Sequence, residues 1–310
     1  MLKSLYSGVS GMKGFQTKLD VIGNNVANVN TVGFKKGRVM FQDIINQNIA
    51  GATAPTTQSG GVNPKQVGLG TKVGSIDTIH TPGSPMTTGV GTDLAIDGDA
   101  YFVVSPEDPS KVGTSFLTKA GNFTRDANGN LVNSNGYFVT GVYNDSNGDA
   151  VKVPINIVKW EDANGDSHKF TSYSIDTNGY INVVDDAGNS GKLAYSSGKY
   201  YLNKIDPDNP DAYNANDDIS IATAVVSNPG GLQKVGNTMF AVTGNSGKGT
   251  PDRIQTNKGG TINSGVLEMS NVDLTDEFTE MIVAQRGFQA NARTITTSDS
   301  ILEELINLKR

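Results

Sequence analysis

The sequence predicts an α+β fold: discontinuous terminal helices that form a coiled-coil domain, plus two mainly antiparallel β domains. Three observations predict it. Apolar residues recur at alternating intervals of three and four at both ends of the 310-residue chain. Between those ends, short β-branched and aromatic runs are divided by turn dipeptides such as Asn-Gly. Only 36% of residues are hydrophobic while 37 are glycine, which suits turn-rich β structure better than a dense helical globule.

At the N-terminus the interval picks out Leu2, Leu5, Val9, Met12, Gln16, Leu19, Gly23 and Val26, all apolar except Gln16 and Gly23. Phe15 and Ile22 flank this seam. The helix then enters "IGNNVANVNTVGF", where Asn24, Asn25, Asn28 and Asn30 compete for backbone hydrogen bonds. Asn28 and Asn30 are expected to end the helix, with Gly33 in a C-terminal cap. Asn24 and Asn25 are expected to make buried polar contacts.

Residues 47–70, "QNIAGATAPTTQSGGVNPKQVGLG", read as a linker or extended arm. The middle then reads as strand and turn. Leu94–Ile96 is expected to pair with Tyr101–Val104 about Asp97-Gly98, and further hairpins turn at Asn128-Gly129, Asn135-Gly136, Asn164-Gly165, Asn178-Gly179 and Ala187-Gly188. Residues 204–218, broken by Pro207 and Pro210, read as a long polar loop.

The C-terminal seam holds Leu274, Phe278, Met281, Gln285, Phe288, Ala292, Ile295, Asp299, Leu302 and Ile306, all apolar except Gln285 and Asp299. Asp273 is placed to cap this helix, Asp276 and Glu277 suit its positive end, and Lys309 and Arg310 suit the other. Ile301, Leu305 and Leu308 spread apolar surface beyond the stripe one antiparallel partner can cover.

Chemistry is sparse. There is no cysteine, which removes disulfides, thiolate catalysis and zinc–sulfur sites. His80 and His168 stand alone and read as surface histidines. "GLGTKVG" and "GNSGKGT" lack dinucleotide-loop and phosphate-loop spacing. "DANGNLV" and "DANGDSH" place glycine fourth, where an EF-hand loop needs it sixth, so hairpin turns explain them. No catalytic site, cofactor or metal is expected. The net charge of -6 gives no reason to expect nucleic acid, and no apolar run reaches the roughly 20 residues needed to span a bilayer. Gly8 and Gly11 interrupt any secretory signal core, so no cleaved leader is expected.

"SGVSGMKGFQTKLDVIGNNVANVNTVGFKK" closely resembles the N-terminal signature of bacterial flagellar rod and hook proteins. "SGVLEMSNVDLTDEFTEMIVAQRGFQANARTITTSDSILEELINLKR" resembles their C-terminal signature, and "GTDLAIDGDAYFVV", "FLTKAGNFTRDANGNLVNSNGYFVTGV" and "NPGGLQKVGNTMFAVTGNSG" resemble their shared β domain. The resemblance implies residues 1–32 and 273–310 as the helical domain and 33–75 as the arm. It implies 76–145 with 226–272 as an inner β domain, and 146–225 as an inserted outer one.

It also implies a non-enzymatic axial protein, exported without cleavage by the flagellar export apparatus to the hook and basal body outside the cell. There it self-assembles as a homopolymer in a helical tube. Within the family the extra β module looks most like a hook subunit, which forms a curved, flexible tube that transmits torque. The distal rod is the alternative. A hook subunit's partners would be the rod protein below, the hook–filament junction protein above, and the hook cap during assembly. Leu2, Leu5, Val9, Met12, Leu19, Asn24, Asn25, Val26, Phe278, Met281, Phe288, Ile295, Leu302 and Ile306 would pack subunits together. A secreted adhesin would explain the turns but not the seams, and a glycan- or peptide-cleaving enzyme would need paired carboxylates in a cleft.

Overall fold

The computed structural model describes residues 2–57, 60–110, 114–145, 150–161, 167–196, 198–203 and 214–308. Asn164-Gly165, Asp162, Lys309, Arg310 and the first part of the 204–218 loop lie outside them. In chain order the elements are helix α1 (Leu2–Ala27), strands β1 (Gly37–Asp43), β2 (Asn46–Ala50), β3 (Lys65–Gly68) and β4 (Thr71–Thr78), a β-rich stretch, the short helix α2 (Ile254–Asn257) and helix α3 (Leu274–Asn307). Two compact units result: Met1–Val29, Lys35–Ile79 and Val272–Arg310 form the first, and Asn30–Phe34 with His80–Asn271 the second.

In the first unit α1 and α3 pack along each other. Asp273 caps α3 as expected, its carboxylate accepting from Thr275 N at 2.8 Å and Asp276 N at 3.4 Å. α1 stops at Ala27 because Asn28 turns its side chain on the helix: Asn28 Nδ2 donates to Asn24 O at 2.9 Å. The segment read as a linker or extended arm holds two strand pairs. β1 pairs antiparallel with β4, and β2 with β3 beyond them.

The second unit holds the remaining β structure, in which the strand pairs among the described residues are antiparallel. Its largest sheet has at its centre Tyr101–Ser105, buried on both faces. Phe102 and Val104 face one apolar cluster while Tyr101 and Val103 face another, the alternation that a central strand imposes. A five-stranded meander runs Lys159–Glu161, Ser167–Ile175, Ile181–Asp185, Ser190–Ser196 and Lys199–Asn203. The expected boundary between inner and inserted β domains is not a break in packing. Val153, Ile155, Ile181, Val183 and Leu193 join Leu94, Phe102 and Phe123 in one core.

The hairpins repeat one turn. An Asp or Asn at its first position accepts in its carbonyl the N–H of a glycine three residues on, as at Asp126/Gly129, Asn133/Gly136, Asp176/Gly179 and Asp185/Gly188. Each glycine has φ between 78° and 91°, the left-handed backbone such turns need. At Asp126, Asn133 and Asp185 the side chain also accepts the N–H four residues on, at 2.7, 2.9 and 2.7 Å. The Asp97-Gly98 hairpin does not form. Leu94–Asp97 pairs instead with Thr261–Ser264, and a Cβ on Gly98 would lie 2.1 Å from Gly259 O, so the glycine serves close backbone packing.

Gly33 also differs from expectation. It caps no helix, since its N–H donates to Glu268 O at 2.8 Å. Its φ is 69°, and a Cβ would meet Ala120 N at 2.5 Å. Gly33→Ala is therefore expected to lower the stability of this unit by about 2 kcal/mol, from the left-handed backbone and the clash together; urea unfolding of the variant measures it.

His80 is no isolated surface residue: its Nδ1 lies 2.8 Å from the Tyr101 hydroxyl, and its ring packs near Phe240. Burial raises the Tyr101 hydroxyl pKa far above its usual value, with the Glu268 and Asp99 charges adding to it, so the phenol stays protonated.

Candidate functional site

The residues that deserve a functional reading lie on the first unit's helices. Gly8, Gly11, Phe15, Lys18, Ile22 and Asn25 on α1 are spaced by three and four, and so reach α3 along a single face. A Cβ on Gly8 would lie 3.2 Å from Thr294 Oγ1, and one on Gly11 2.9 Å from Asn291 Nδ2. From the other side Gly287 admits the Phe15 ring, which a Cβ there would meet at 2.6 Å. Ala284 is fully buried and Ile22 is 3% exposed. Gly287→Ala is expected to cost about 1–3 kcal/mol through overpacking against Phe15, read as a lower midpoint in thermal unfolding followed by helical circular dichroism.

A second α1 face meets the arm. A Cβ on Gly14 would touch Phe41 at 2.8 Å, Ser10 lies against Gly70, and Val21 against Gly37. The Phe15 and Phe41 rings stand 5.9 Å apart.

Where α1 ends, polar groups fasten the three segments. Asn25, 1% exposed, donates from Nδ2 to Gly37 O at 2.9 Å and to Glu277 Oε2 at 3.1 Å, while its Oδ1 accepts from Gly37 N at 2.9 Å. Lys36 Nζ lies 3.9 Å from Glu277 Oε1, and Lys18 Nζ 2.7 Å from Glu280 Oε2. The two ion pairs and Gly37, with Ile22 and Val39, line a cleft of about 70 Å³. The expected subunit contact therefore does not describe Asn25, whose donors and acceptor are used inside its own chain. Asn24 is exposed.

This inner face lies one residue earlier on α1 than the apolar seam read from sequence, a rotation of roughly 100° at 3.6 residues per turn. The sequence-predicted residues consequently line a third face. Leu5, Met12, Leu19 and Val26 are half-buried and Val9 is 38% exposed, while the side chain of Leu2 lies outside the described ones. On α3, Met281, Ile295 and Leu302 are half-buried, whereas Phe278, Phe288 and Ile306 are exposed.

Sequence reasoning missed Gly8, Gly11, Gly287, Gly37 and Glu277 as packing residues. The usable signal was a row of small residues at the same interval, which a count of apolar positions passes over. Among the described residues no group of three or more histidines and carboxylates is placed to hold a metal, and no helix is long and apolar enough to cross a membrane.

Comparison with known proteins finds three family models along the chain: the flagella basal body rod protein over residues 5–35, the flagellar hook protein FlgE/F/G D1 domain over 95–183, and the flagellar basal body rod FlgEFG protein C-terminal region over 263–308. The flagellar basal-body rod protein FlgG of Bacillus subtilis is 47% identical over the whole of both chains. The chain belongs to the flagellar rod and hook protein family. The flagellar hook protein FlgE of Borreliella burgdorferi is 33% identical, again over all of both chains, but across 449 aligned positions. FlgG of the same organism is 33% identical over 315. As a member of this family the chain is a structural component of the bacterial flagellum, not an enzyme. The first family match takes in all three faces of α1 and its Asn-rich end, and the last takes in the whole of α3.

Proposed function

We propose that this chain polymerises through its terminal helices into the tubular axis of the flagellum, as a subunit of the rod. One observation carries the polymerisation. Among the described residues of the helix-and-arm unit, Ile22, Val39 and Ala284 are the buried apolar side chains, while Phe278, Ile282, Val283, Phe288, Ile44, Ile45, Ile49 and others stand exposed. A unit that buries so little of its own apolar surface is completed by other copies, and its uncovered heptad face is the surface for them. Because α1 supplies one side of the helix pair, export must leave it attached. The partners in this reading are copies of the chain and the axial proteins above and below it.

Length supports the rod over the hook. The Bacillus subtilis rod relative aligns with this chain over 312 positions, whereas the FlgE hook relatives of Borreliella burgdorferi and Treponema pallidum need 449 and 469. The hook reading keeps one observation on its side: those same relatives cover the whole chain at 33% and 31% identity. Electron microscopy of tubes grown from concentrated purified protein separates the two. Straight, stiff tubes are expected; uniformly curved ones would overturn the rod assignment in favour of the hook.

A further inference from the structure

The two helices are soft at the same level. In α3 the segment Asn291–Ser300, "NARTITTSDS", is rich in residues that weaken helices by β-branching or by competing for backbone partners. Their side chains bond to the carbonyls of their own helix. Thr294 Oγ1 donates to Asn291 O at 2.7 Å and Thr296 Oγ1 to Arg293 O at 3.0 Å. Ser298 Oγ donates to Thr294 O at 2.8 Å and Ser300 Oγ to Thr296 O at 3.0 Å. Thr297 also donates to Arg293 O. Such back-bonding bends helices and weakens the ladder it joins.

Directly across, α1 carries Ser7-Gly8-Val9-Ser10-Gly11. Gly8 faces Asn291, Thr294 and Ile295, and Gly11 faces Asn291. Each of those glycines is among the poorest helix formers. On one side of this level the pair is fastened by Asn25, Glu277 and the buried Ala284. On the other side lies an apolar tip with Tyr6 72%, Ile306 65% and Leu308 82% exposed.

We propose that Ser7–Gly11 and Asn291–Ser300 form a flexible joint within the helix pair, about which the apolar tip swings relative to the fastened part. The joint is a property of the single chain and does not rest on the rod assignment.

The test uses the full chain, which has no native cysteine to interfere with labelling. Spin labels at Gln285→Cys and Glu304→Cys, both exposed positions on α3, should lie about 28 Å apart on a straight helix. The expected distance distribution is broad, with a component shorter than that. Adding Thr296→Ala, Thr297→Ala and Ser300→Ala removes three back-bonding hydroxyls at exposed positions and favours the local helix about 20-fold. This variant should narrow the distribution and slow amide exchange over residues 291–300 by a similar factor. A single narrow distance in the wild-type chain, or a broad one unchanged by the three alanines together with unchanged exchange, overturns the joint.

Discussion

Asn25→Ala should lower the unfolding free energy of the helix-and-arm unit by about 3 kcal/mol. The residue is nearly inaccessible, and its amide closes both polar groups of Gly37 and one oxygen of Glu277. Truncation leaves a buried N–H, a buried carbonyl and a carboxylate without that partner, at about 1–3 kcal/mol for a group left unsatisfied. No alanine side chain or rearranged rotamer can bridge α1, the start of β1 and α3 at once. Helical circular dichroism against urea should show the first transition moved to lower denaturant, with the β-unit transition unmoved. Asn25→Asp is the sharper variant. It preserves size but loses the donor, and sets a second carboxylate oxygen where the amide nitrogen lay 3.1 Å from Glu277 Oε2. It should cost at least as much at neutral pH.

Lys119→Met should cost the β unit about 3–5 kcal/mol, the usual consequence of leaving one member of a buried pair behind. Lys119 and Glu268 are each 4% exposed, with Nζ 3.9 Å from Oε2. Lys119 Nζ also donates to Gly98 O at 2.6 Å and lies 5.3 Å from the centre of the Tyr101 ring. Glu268 in turn accepts Gly83 N at 3.0 Å, and its carbonyl accepts Gly33 N at 2.8 Å. The pair thus gathers the chain at residues 33, 83, 98 and 119 of one unit. Neutralising the orphaned acid should recover much of the loss: Lys119→Met with Glu268→Gln keeps an acceptor for Gly83 N without a buried charge. Equal destabilisation in the single and double variants would show that lost packing, not charge, sets the cost. The readout is urea unfolding followed by the β signal.

The reach of the sequence follows from what each signal reports. Periodicity reports apolar surface, so both long helices and the Asp273 cap could be read from it. It does not report which apolar stripe faces which neighbour. On α1 the richest stripe is only half-buried, and the face that meets α3 is marked by Gly8 and Gly11, which a hydrophobic pattern cannot register. The turn at Asn128-Gly129 was legible because positive φ is a local requirement. Asp97-Gly98 looked the same but served a contact with Gly259, more than a hundred and fifty residues away in sequence. Asn25 stands out for its polarity within a helix, but its partners Gly37 and Glu277 depend on tertiary placement within its own chain. Lys119 and Glu268 gave no local signal, since a buried ion pair looks like two surface charges until the fold brings them together.

The central claim is that the terminal helices carry an inner face that pairs them within the chain and an outer apolar face that joins copies. Sedimentation velocity across a concentration series, on the intact chain and on a Phe278→Ser, Ile282→Ser, Ile306→Ser variant, tests it most directly, because all three side chains are exposed in the single chain. The intact chain should grow into large assemblies as concentration rises. The variant should sediment as a monomer with unchanged helical circular dichroism. A wild-type chain that stays monomeric at every concentration, or a variant that assembles as readily as wild type, contradicts the account.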